Sequence, residues 1–273
     1  MVLIIDLSMQ LIIIYKFMPN LQQIKALREK FTAHNNVHSR DLKLLSESFN
    51  KSSYDIKNLF INTGGNQNLV TYFETQQSAD VVLLFIDITD FSTKCARFFN
   101  SQLSNYLDDY YEKVISTIYY HGGEIEKIIG DGIICIFGQP FLSDAKDELF
   151  KRADMCSKDI IVELKESDKE VKIAMHDGVI MYYKNKTENY PEYTMIGKPL
   201  TELFRLESVA ENNSVNFYYN SYYDNMDITG DGVYKYSRNN IHSYWRKSGL
   251  IDVNLKGVNC SYVKQFLCTY KTS

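Results

Sequence analysis

The sequence lacks two features that would indicate binding to nucleic acid or to a membrane. Its 30 Lys and Arg are outnumbered by 34 Asp and Glu, which leaves a net charge of −4, so charge gives no case for a nucleic-acid partner. The most apolar segment, residues 2–18, is interrupted by Asp6, Ser8, Gln10 and Lys16, whereas a membrane helix needs ~20 mostly apolar residues. We therefore expect a cytoplasmic protein with neither a nucleic-acid partner nor a membrane anchor.

The sequence also lacks closely paired cysteines and a nucleotide-binding phosphate loop. None of the five cysteines has a second one at the short spacing of a metal site, and we expect reduced thiols in a cytoplasmic protein. The glycine pair within Asn62–Asn66 is not followed by Gly-Lys-Ser/Thr, so this segment is predicted to be a turn. The cysteines are Cys95, Cys135, Cys156, Cys260 and Cys268.

Apolar residues at helical spacing occupy the first part of the chain. Leu21, Ile24, Leu27 and Phe31 follow the i, i+3, i+4 pattern of an amphipathic helix. With 273 residues and 45% hydrophobic content, the chain is long enough for one large domain and an extension. The sequence therefore predicts an N-terminal helical extension over 1–78 and a large domain over 79–273.

The large domain is organised around two segments that each end in a carboxylate. The apolar run Val81–Ile86 predicts a buried strand that leads into Asp87. Residues 121–137 predict a hairpin whose turn contains Asp131 between two glycines. If the hairpin packs beside the strand, the two carboxylates converge and suit one or two hard cations such as Mg²⁺ or Mn²⁺. Such ions hold substrate phosphates and support in-line displacement at phosphorus.

Each segment also has a simpler interpretation. An Asp at the end of a strand is often a turn former or a helix cap. Gly-Asp-Gly alone is a common turn, and the second copy at 230–232 is interpreted as a turn only. The combination of both segments in this order is far more specific than either one, and it is this combination that favours the metal site.

The other patterns of the large domain complete an α+β fold. Apolar residues at helical spacing predict helices, and alternating branched residues predict strands. The order β-α-β-β-α-β is the ferredoxin-like pattern, here with extra elements at the end. The predicted helices are 101–120, 144–164 and 198–210, and the predicted strands are 171–183, 192–196, 215–219 and terminal strands within 250–266, with a polar loop at 184–191.

Three segments of the large domain together resemble one family. The first is Phe85–Ser92, the second combines Gly122-Gly123 with Lys127–Gly132, and the third combines Glu192–Gly197 with Arg205–Ser208. In order and spacing they resemble the class III nucleotide cyclases, the adenylyl and guanylyl cyclase catalytic domain. The resemblance implies a cyclase fold over 79–273. It also implies cyclisation of a nucleoside triphosphate, in which the ribose 3′-oxygen attacks the α-phosphorus and pyrophosphate leaves.

The resemblance assigns roles to residues that would meet the phosphates. Asp87 and Asp131, with the backbone carbonyl of Ile88, are implied ligands of two divalent metal ions, Mn²⁺ or Mg²⁺. The turn that includes Phe91 and Ser92 is implied to offer backbone N–H groups to the phosphates. A further residue, Arg205, occupies the position of the transition-state arginine, whose planar fork suits a phosphate oxyanion.

The resemblance also assigns the base and ribose positions. Lys127 and Thr194 occupy the base-recognition positions and form an adenine-type pair, whereas guanylyl cyclases carry Glu and Cys there. Thr201 stands where the family usually has the Asn that orients the ribose and assists the transition state, and Thr reaches less far. Family members place the metal carboxylates of one subunit opposite the base and arginine positions of the other, so a homodimer with two composite sites is implied.

Three functions remain open at this point. The absence of a sensor domain and the departure at Thr201 favour a cyclase of the bacterial antiphage type, which makes cyclic UMP or cyclic CMP as an antiviral second messenger. Lys127 and Thr194 favour an adenylyl cyclase that makes cyclic AMP. The departure at Thr201 is the only support for the third alternative, a catalytically weak module that binds nucleotide.

Overall fold

The computed structural model describes residues 77–184, 193–226, 233–238 and 241–272, together with Thr75. These residues form an α+β fold around one sheet. Its helices are α1 (Phe91–Cys95), α2 (Asn100–Tyr120), α3 (Lys146–Leu164), α4 (Lys198–Glu207) and α5 (Tyr222–Asn225). Its strands are β1 (Ser78–Ile88), β2 (Glu124–Ile129), β3 (Gly132–Gly138), β4 (Val171–Lys184), β5 (Tyr193–Ile196), β6 (Ser214–Tyr218), β7 (Val233–Arg238), β8 (Ile241–Lys247), β9 (Ile251–Asp252) and β10 (Tyr262–Thr272).

Strand β1 lies at the centre of a four-stranded ferredoxin-like core. The order is β2-β3-β1-β4, and each neighbouring pair in this core is antiparallel. The apolar run in β1 follows from this position, because a central strand covered on both faces has no solvent-exposed side. The predicted α+β class and the ferredoxin-like pattern are confirmed.

Helices α2 and α3 cover one face of this core. Residues Val82, Leu84, Ile86 and Ile88, which alternate along β1, are almost fully buried, and α3 packs on β1, β3 and β4 while α2 packs on α3 and β2. The buried face of α2 is largely aromatic and branched. Its buried members are Tyr106, Tyr110, Val114, Ile115, Thr117, Ile118 and Tyr119.

The opposite face of the core is covered by α4. The other β1 side chains, including Val81 and Leu83, form a buried cluster with Leu203 and Leu206 of α4. A close approach is possible because Gly178 of β4 has φ +148 and a Cβ there would lie 2.6 Å from Pro199 Cγ. A side chain at this position would push the start of α4 away from the sheet, and with it the residues that α4 carries.

The C-terminal half of the sheet is larger than the sequence predicted. Strands β6, β10, β8 and β7 follow β4 in that order, and β4 pairs with β6 in parallel. The β7–β8 hairpin was not predicted, because its strands have no clear apolar alternation. The predicted helix over 198–210 ends at Glu207, and the terminal strands within 250–266 correspond to β9 and to a β10 that extends to Thr272.

Several sequence-based predictions lie outside the described residues. These are the helical extension over 1–78 apart from Thr75 and residues 77–78, the turn at 62–66, the polar loop at 184–191 apart from Lys184, which ends β4, and the turn at 230–232. Among the described residues, no helix is long and apolar enough to span a membrane. The cysteines are free thiols, three of them buried, as the sequence predicted.

A buried ionic cluster attaches α3 to the C-terminal strands. Lys158 is 1% exposed and pairs with Asp154 one turn earlier on α3. Asp154 also accepts a hydrogen bond from the Tyr223 hydroxyl. The Lys158 ammonium lies 5.5 Å from the ring centroid of Phe266 and 5.8 Å from that of Trp245. Burial lowers the pKa of Lys158, and Asp154 opposes this shift.

Asp154→Ala should destabilise the protein strongly. The substitution removes the carboxylate that pairs with the buried Lys158 ammonium and accepts the hydrogen bond of the buried Tyr223 hydroxyl. Breaking a buried pair in this way costs about 3–5 kcal/mol. Urea unfolding followed by circular dichroism should show this loss in the free energy of unfolding.

Asp109→Ala is the matched control. Asp109 and Lys113 have the same i, i+4 spacing on a helix, but they are 48% and 39% exposed. Asp109 also lies 3.1 Å from the Lys169 ammonium, but its own carboxylate is about half exposed, and such exposed pairs contribute only about 0–1 kcal/mol each. Equal losses in the two variants would mean that the Asp154 cluster is no more important for stability than a surface ion pair.

Candidate active site

The end of β1 and the β2–β3 turn meet at one edge of the core. Strands β1 and β3 pair antiparallel, with Ile86 opposite Ile133, so the turn that contains Asp131 lies beside Asp87. Gly132 makes this approach possible, since a Cβ there would lie 2.7 Å from Phe85 Cε2. The backbone of Ile88 forms a hydrogen bond with the Asp131 carboxyl. The structure therefore brings together the two carboxylates that the sequence singled out.

The charge of Asp131 makes ionisation of Asp87 costly. Burial, followed by the charge of Asp131, raises the pKa of Asp87 to about 6, against the opposing effect of Lys172. Burial also raises the pKa of Asp131, although hydrogen bonds from its own backbone, from the Asp87 side chain and from the backbone of Ile88 favour its ionised form. Ionising two carboxylates held this close costs free energy, which a bound cation would offset.

Sequence reasoning missed two further charged residues at this edge. Lys172 of β4 is the direct neighbour of Asp87 in the β1–β4 ladder. Its Nζ lies 3.5 Å from Asp87 Oδ2 and 2.7 Å from Glu207 Oε1 at the end of α4. Burial lowers the pKa of Lys172, but Glu207 and Asp87 outweigh it and the net shift is upward. No local motif marks Lys172, and Glu207 lies within the segment Arg205–Ser208 but was given no role there. The two residues are 85 and 120 positions from Asp87, so no short-range pattern relates them to it.

The carboxyl groups at this edge of the core outnumber the ammonium groups that contact them. Burial raises the pKa of Glu207, and the charge of Asp87 adds to this shift, although Lys172 opposes it. Three carboxyl groups, those of Asp87, Asp131 and Glu207, thus share the ammonium of Lys172. A single ammonium does not compensate three carboxylates, so a further cation would relieve the repulsion that raises their pKa values.

The oxygen donors at this edge fit a hard divalent cation. Carboxylates and backbone carbonyls are the ligands that such ions prefer, and Mg²⁺ is usually held by one or two carboxylates together with water and substrate phosphates. The described residues contain no cluster of three or more His, Cys, Asp or Glu that could hold a metal. Asp87, Asp131 and the Ile88 carbonyl therefore suit an ion that takes its other ligands from a phosphorylated substrate.

The segment after β1 forms a tight turn into α1. Asp90 has a left-handed backbone, with φ 56, and its carbonyl accepts hydrogen bonds from the N–H groups of Thr93 and Lys94, both at 3.1 Å. The first N–H groups of a helix have no partner within it, and in α1 these belong to Phe91 and Ser92. The Ser92 side chain is exposed, whereas the Phe91 ring packs 6.3 Å from that of Tyr106.

Helix α4 carries the predicted ribose and arginine positions on its outer face. Thr201 and Arg205 are both exposed and lie one turn apart. Within the described part of the chain, Arg205 forms no ion pair. Arg205 and Glu207 are two residues apart, which is about 200° around a helix. Because Glu207 faces Asp87 through Lys172, Arg205 points away from Asp87 and Asp131 of its own chain.

The predicted base positions lie on two different strands. Lys127 is exposed on β2 and has no ion pair among the residues that the structure describes. Thr194 lies on β5 opposite Tyr183 of β4, but its side chain is outside the described part of the structure. The Tyr183 ring, 37% exposed, is therefore an aromatic surface next to this position.

His176 of β4 supports α4. Its Nε2 lies 3.2 Å from Glu202 Oε2, and its ring packs edge-on against Tyr218, with centroids 5.0 Å apart. Glu202 also pairs with Lys198 at 2.8 Å. These contacts hold the helix on the sheet and leave its outer face, with Thr201 and Arg205, towards solvent.

The fold and the two convergent carboxylates define a class of nucleotide-cyclising domains. The family described as the adenylate and guanylate cyclase catalytic domain matches residues 73–238. The chain belongs to this family, and its large domain is a nucleotide cyclase catalytic domain. No curated protein shows significant sequence similarity to the chain.

Solved structures of the same fold are similar to more than two thirds of the chain. The guanylyl cyclase Cya2 has a TM-score of 0.55 at 21% identity, over 70% of this chain and 92% of that chain. The adenylyl cyclase CyaB from P. aeruginosa has a TM-score of 0.53 at 20% identity, over 71% of this chain and 96% of that chain. The guanylate cyclase domain of RhGC from Catenaria anguillulae, in complex with GTP, has a TM-score of 0.56 at 18% identity, over 70% of this chain and 98% of that chain. At these identities the likeness shows the fold.

Asp87→Asn should change stability in a pH-dependent way in metal-free buffer. In the folded protein Asp87 is protonated below pH about 6, but in the unfolded chain only below about 4. Its contribution to stability is therefore complete below pH about 4 and is lost as the pH rises through about 6. Because Asn mimics the neutral carboxyl, the variant should match the wild type in melting temperature at pH 4.5 and exceed it at pH 7.5.

Glu202→Gln is a control whose effect on stability should change with pH in the opposite direction. Hydrogen bonds from Lys198 and His176 outweigh burial and lower the pKa of Glu202, so its stabilising contribution is present above its unfolded pKa and is lost as the pH falls. This variant should melt below the wild type at pH 7.5, with a smaller difference at pH 4.5. An Asp87→Asn effect of equal size at both pH values would contradict the raised pKa.

Proposed function

We propose that the protein is a nucleotidyl cyclase with two composite active sites in a homodimer. It converts a nucleoside triphosphate to a 3′,5′-cyclic nucleotide and pyrophosphate. The observation that carries this proposal is that the site residues of each chain lie in two separate places. Asp87 and Asp131 converge at one edge, while Arg205 of the same chain points away from them, beyond Glu207. An intact site then needs the carboxylates of one chain and the outer face of α4 from another.

The carboxylates would hold two divalent ions, Mn²⁺ or Mg²⁺, at the triphosphate. When bound, these ions lower the charge on the phosphates and favour ionisation of the 3′-hydroxyl. Asp87 and Asp131 fix the position of the triphosphate through them, and the backbone carbonyl of Ile88 supplies a further oxygen. The N–H groups of Phe91 and Ser92 would donate hydrogen bonds to phosphate oxygens, which helps to hold the α-phosphorus in line with the ribose.

Residues of the second chain would complete the site. Arg205 would donate hydrogen bonds to the phosphate oxygens on which charge develops, which stabilises the transition state. Thr201, one turn earlier, would donate one hydrogen bond near the ribose. The 3′-oxygen forms its bond to the α-phosphorus, the bond to the pyrophosphate oxygen breaks, and the hydroxyl proton leaves to solvent.

An exposed apolar side chain of α4 supports association through this face. Phe204 is 38% exposed, and its ring packs 5.2 Å from that of Phe85 on β1. Burial of the exposed part of Phe204 in a homodimer would favour the arrangement that brings Arg205 to the other chain's carboxylates.

We propose further that the base is a pyrimidine and that the product is an antiviral second messenger of a cytoplasmic enzyme. A pyrimidine is smaller than a purine, so it would leave unfilled volume in a site large enough for a purine. An aromatic side chain would fill this volume. Tyr183, opposite Thr194, and Tyr193, next to it in sequence, are the available fillers. The shorter reach of Thr201 is consistent with a ribose position that differs from that of purine cyclases. The antiviral role follows from the sequence resemblance alone.

UTP or CTP should be cyclised faster than ATP and GTP. Purified protein is incubated with each nucleotide and Mn²⁺, and the products are identified by mass spectrometry. Lys127→Ala should reduce the preference among bases more than it reduces Mn²⁺ binding, because Lys127 is a polar group in position to pair with the base. Asp131→Asn should lower every rate by at least about 100-fold, since it removes a metal ligand.

The four-nucleotide assay also separates the alternatives. A preference for ATP would overturn the pyrimidine assignment and support an adenylyl cyclase, which the Lys127 and Thr194 pair favours by resemblance. Binding of nucleotide without turnover of any of the four would support a catalytically weak nucleotide-binding module.

An equimolar mixture of Asp87→Ala and Arg205→Ala proteins should recover activity. Each variant alone has two defective sites. Random exchange makes half of the dimers mixed, and each mixed dimer has one intact site of two, so about a quarter of the wild-type rate should return. The rate is measured after exchange has been verified with differently tagged chains.

The matched control mixes Asp87→Ala with Asp131→Ala. Both residues belong to the same half of a composite site, so every site in a mixed dimer still lacks one carboxylate. This mixture should stay inactive. Recovery in both mixtures, or in neither despite verified exchange, would contradict the composite arrangement.

A further inference from the structure

Lys172 connects a carboxylate of the proposed metal site to a carboxylate of helix α4. Its Nζ lies 3.5 Å from Asp87 Oδ2 and 2.7 Å from Glu207 Oε1. Asp87 and Lys172 are direct neighbours in the β1–β4 ladder, so the sheet register fixes their proximity. Glu207 is the last residue of α4, and Leu206 beside it is fully buried, so this end of the helix is also fixed.

The three side chains are shielded more than an ordinary surface ion pair. Asp87 and Lys172 are each 22% exposed, and Glu207 is 15% exposed. Interactions at such positions are screened less by water and salt than those between exposed charges. The shorter distance shows that Glu207 is the nearer partner of Lys172, while Asp87 is the more distant one.

A divalent ion and the Lys172 ammonium would compete for Asp87. Both are cations that interact with the same carboxylate, and they repel each other. Lysine has a compact charge, three donors and a flexible stem. Its ammonium can therefore move away from one carboxylate and remain paired with another.

We propose that Lys172 is a positioning residue that sets the metal affinity of the site. It acts as an internal counter-cation for Asp87 that the incoming divalent ion displaces, and Glu207 retains Lys172 when this happens. The inference rests on the metal site proposed above and extends it to two residues outside the metal ligands.

The two residues should have opposite effects on metal affinity. Lys172→Met removes the competing cation, so the divalent ion should bind more tightly. Glu207→Gln removes the carboxylate that retains Lys172, so the ammonium depends more on Asp87 and the divalent ion should bind more weakly. Lys172→Arg keeps the charge and should restore an affinity close to that of the wild type.

The test is a calorimetric titration of Mn²⁺ into the full chain without nucleotide. Relative to the wild type, Kd should fall by about fivefold or more for Lys172→Met and rise by about fivefold or more for Glu207→Gln, which is the lower end of ordinary coupling between sites. Thermal unfolding of each variant verifies that it is folded. Loss of structure alone would weaken binding in both variants and cannot produce shifts of opposite sign.

Lys146→Met is the matched control. Lys146 also bridges two carboxylates, at 3.0 Å from Asp80 and 2.8 Å from Asp177. Asp80 precedes Asp87 by seven residues on β1, a separation of roughly 23 Å, so this variant should leave the Mn²⁺ affinity unchanged.

The outcomes separate this inference from the proposed function. Without saturable Mn²⁺ binding by the wild type, the inference would be overturned, because it concerns the affinity of the site before nucleotide binds. Mn²⁺ binding that survives in Asp87→Asn would overturn the metal site and the inference together. A wild type that binds Mn²⁺ through Asp87, with Lys172→Met and Glu207→Gln shifted in the same direction or not at all, would overturn the inference alone.

Discussion

Repulsion between the carboxyl groups of Asp87 and Asp131 is the constraint on which the site depends. The ladder between β1 and β3 forces the two groups together, and burial makes their joint ionisation costly. A fold that accepts this cost needs a cation to offset it, and Lys172 supplies only one positive charge. The site is therefore suited to binding further positive charge, and in the proposed function the phosphates of a nucleotide would supply the remaining ligands of such an ion.

The parts of this arrangement that the sequence predicted are those set by local chemistry. The apolar run of β1, the turn that contains Asp131 and the amphipathic helices each follow from the residues within them. Convergence of Asp87 and Asp131 could be predicted because a hairpin beside a strand leaves few alternatives for a short turn. The order of the first four strands follows from the ferredoxin-like pattern, which places β1 at the centre.

The parts that could not be predicted depend on pairing over long distances. Lys172 is the second residue of a typical strand pattern and Glu207 ends a typical helix, and only the register of β4 against β1 brings them to Asp87. The hairpin of β7 and β8 was missed for a related reason. It is stabilised by contacts such as the burial of Trp245 next to Lys158, which no periodicity in its own sequence indicates.

Helix α4 explains why one chain contains every predicted site residue and yet does not bring them together. The face that carries Glu207 is held to β1 and β4 through Lys172, and Leu203 and Leu206 are buried beneath it. A helix held on that side must present Arg205 on the other. Rotating α4 to bring Arg205 to Asp87 would expose those leucines and leave Glu207 and Lys172 without each other. The packing that positions the carboxylates is thus the same packing that directs the arginine outwards, where a second copy of the chain can use it.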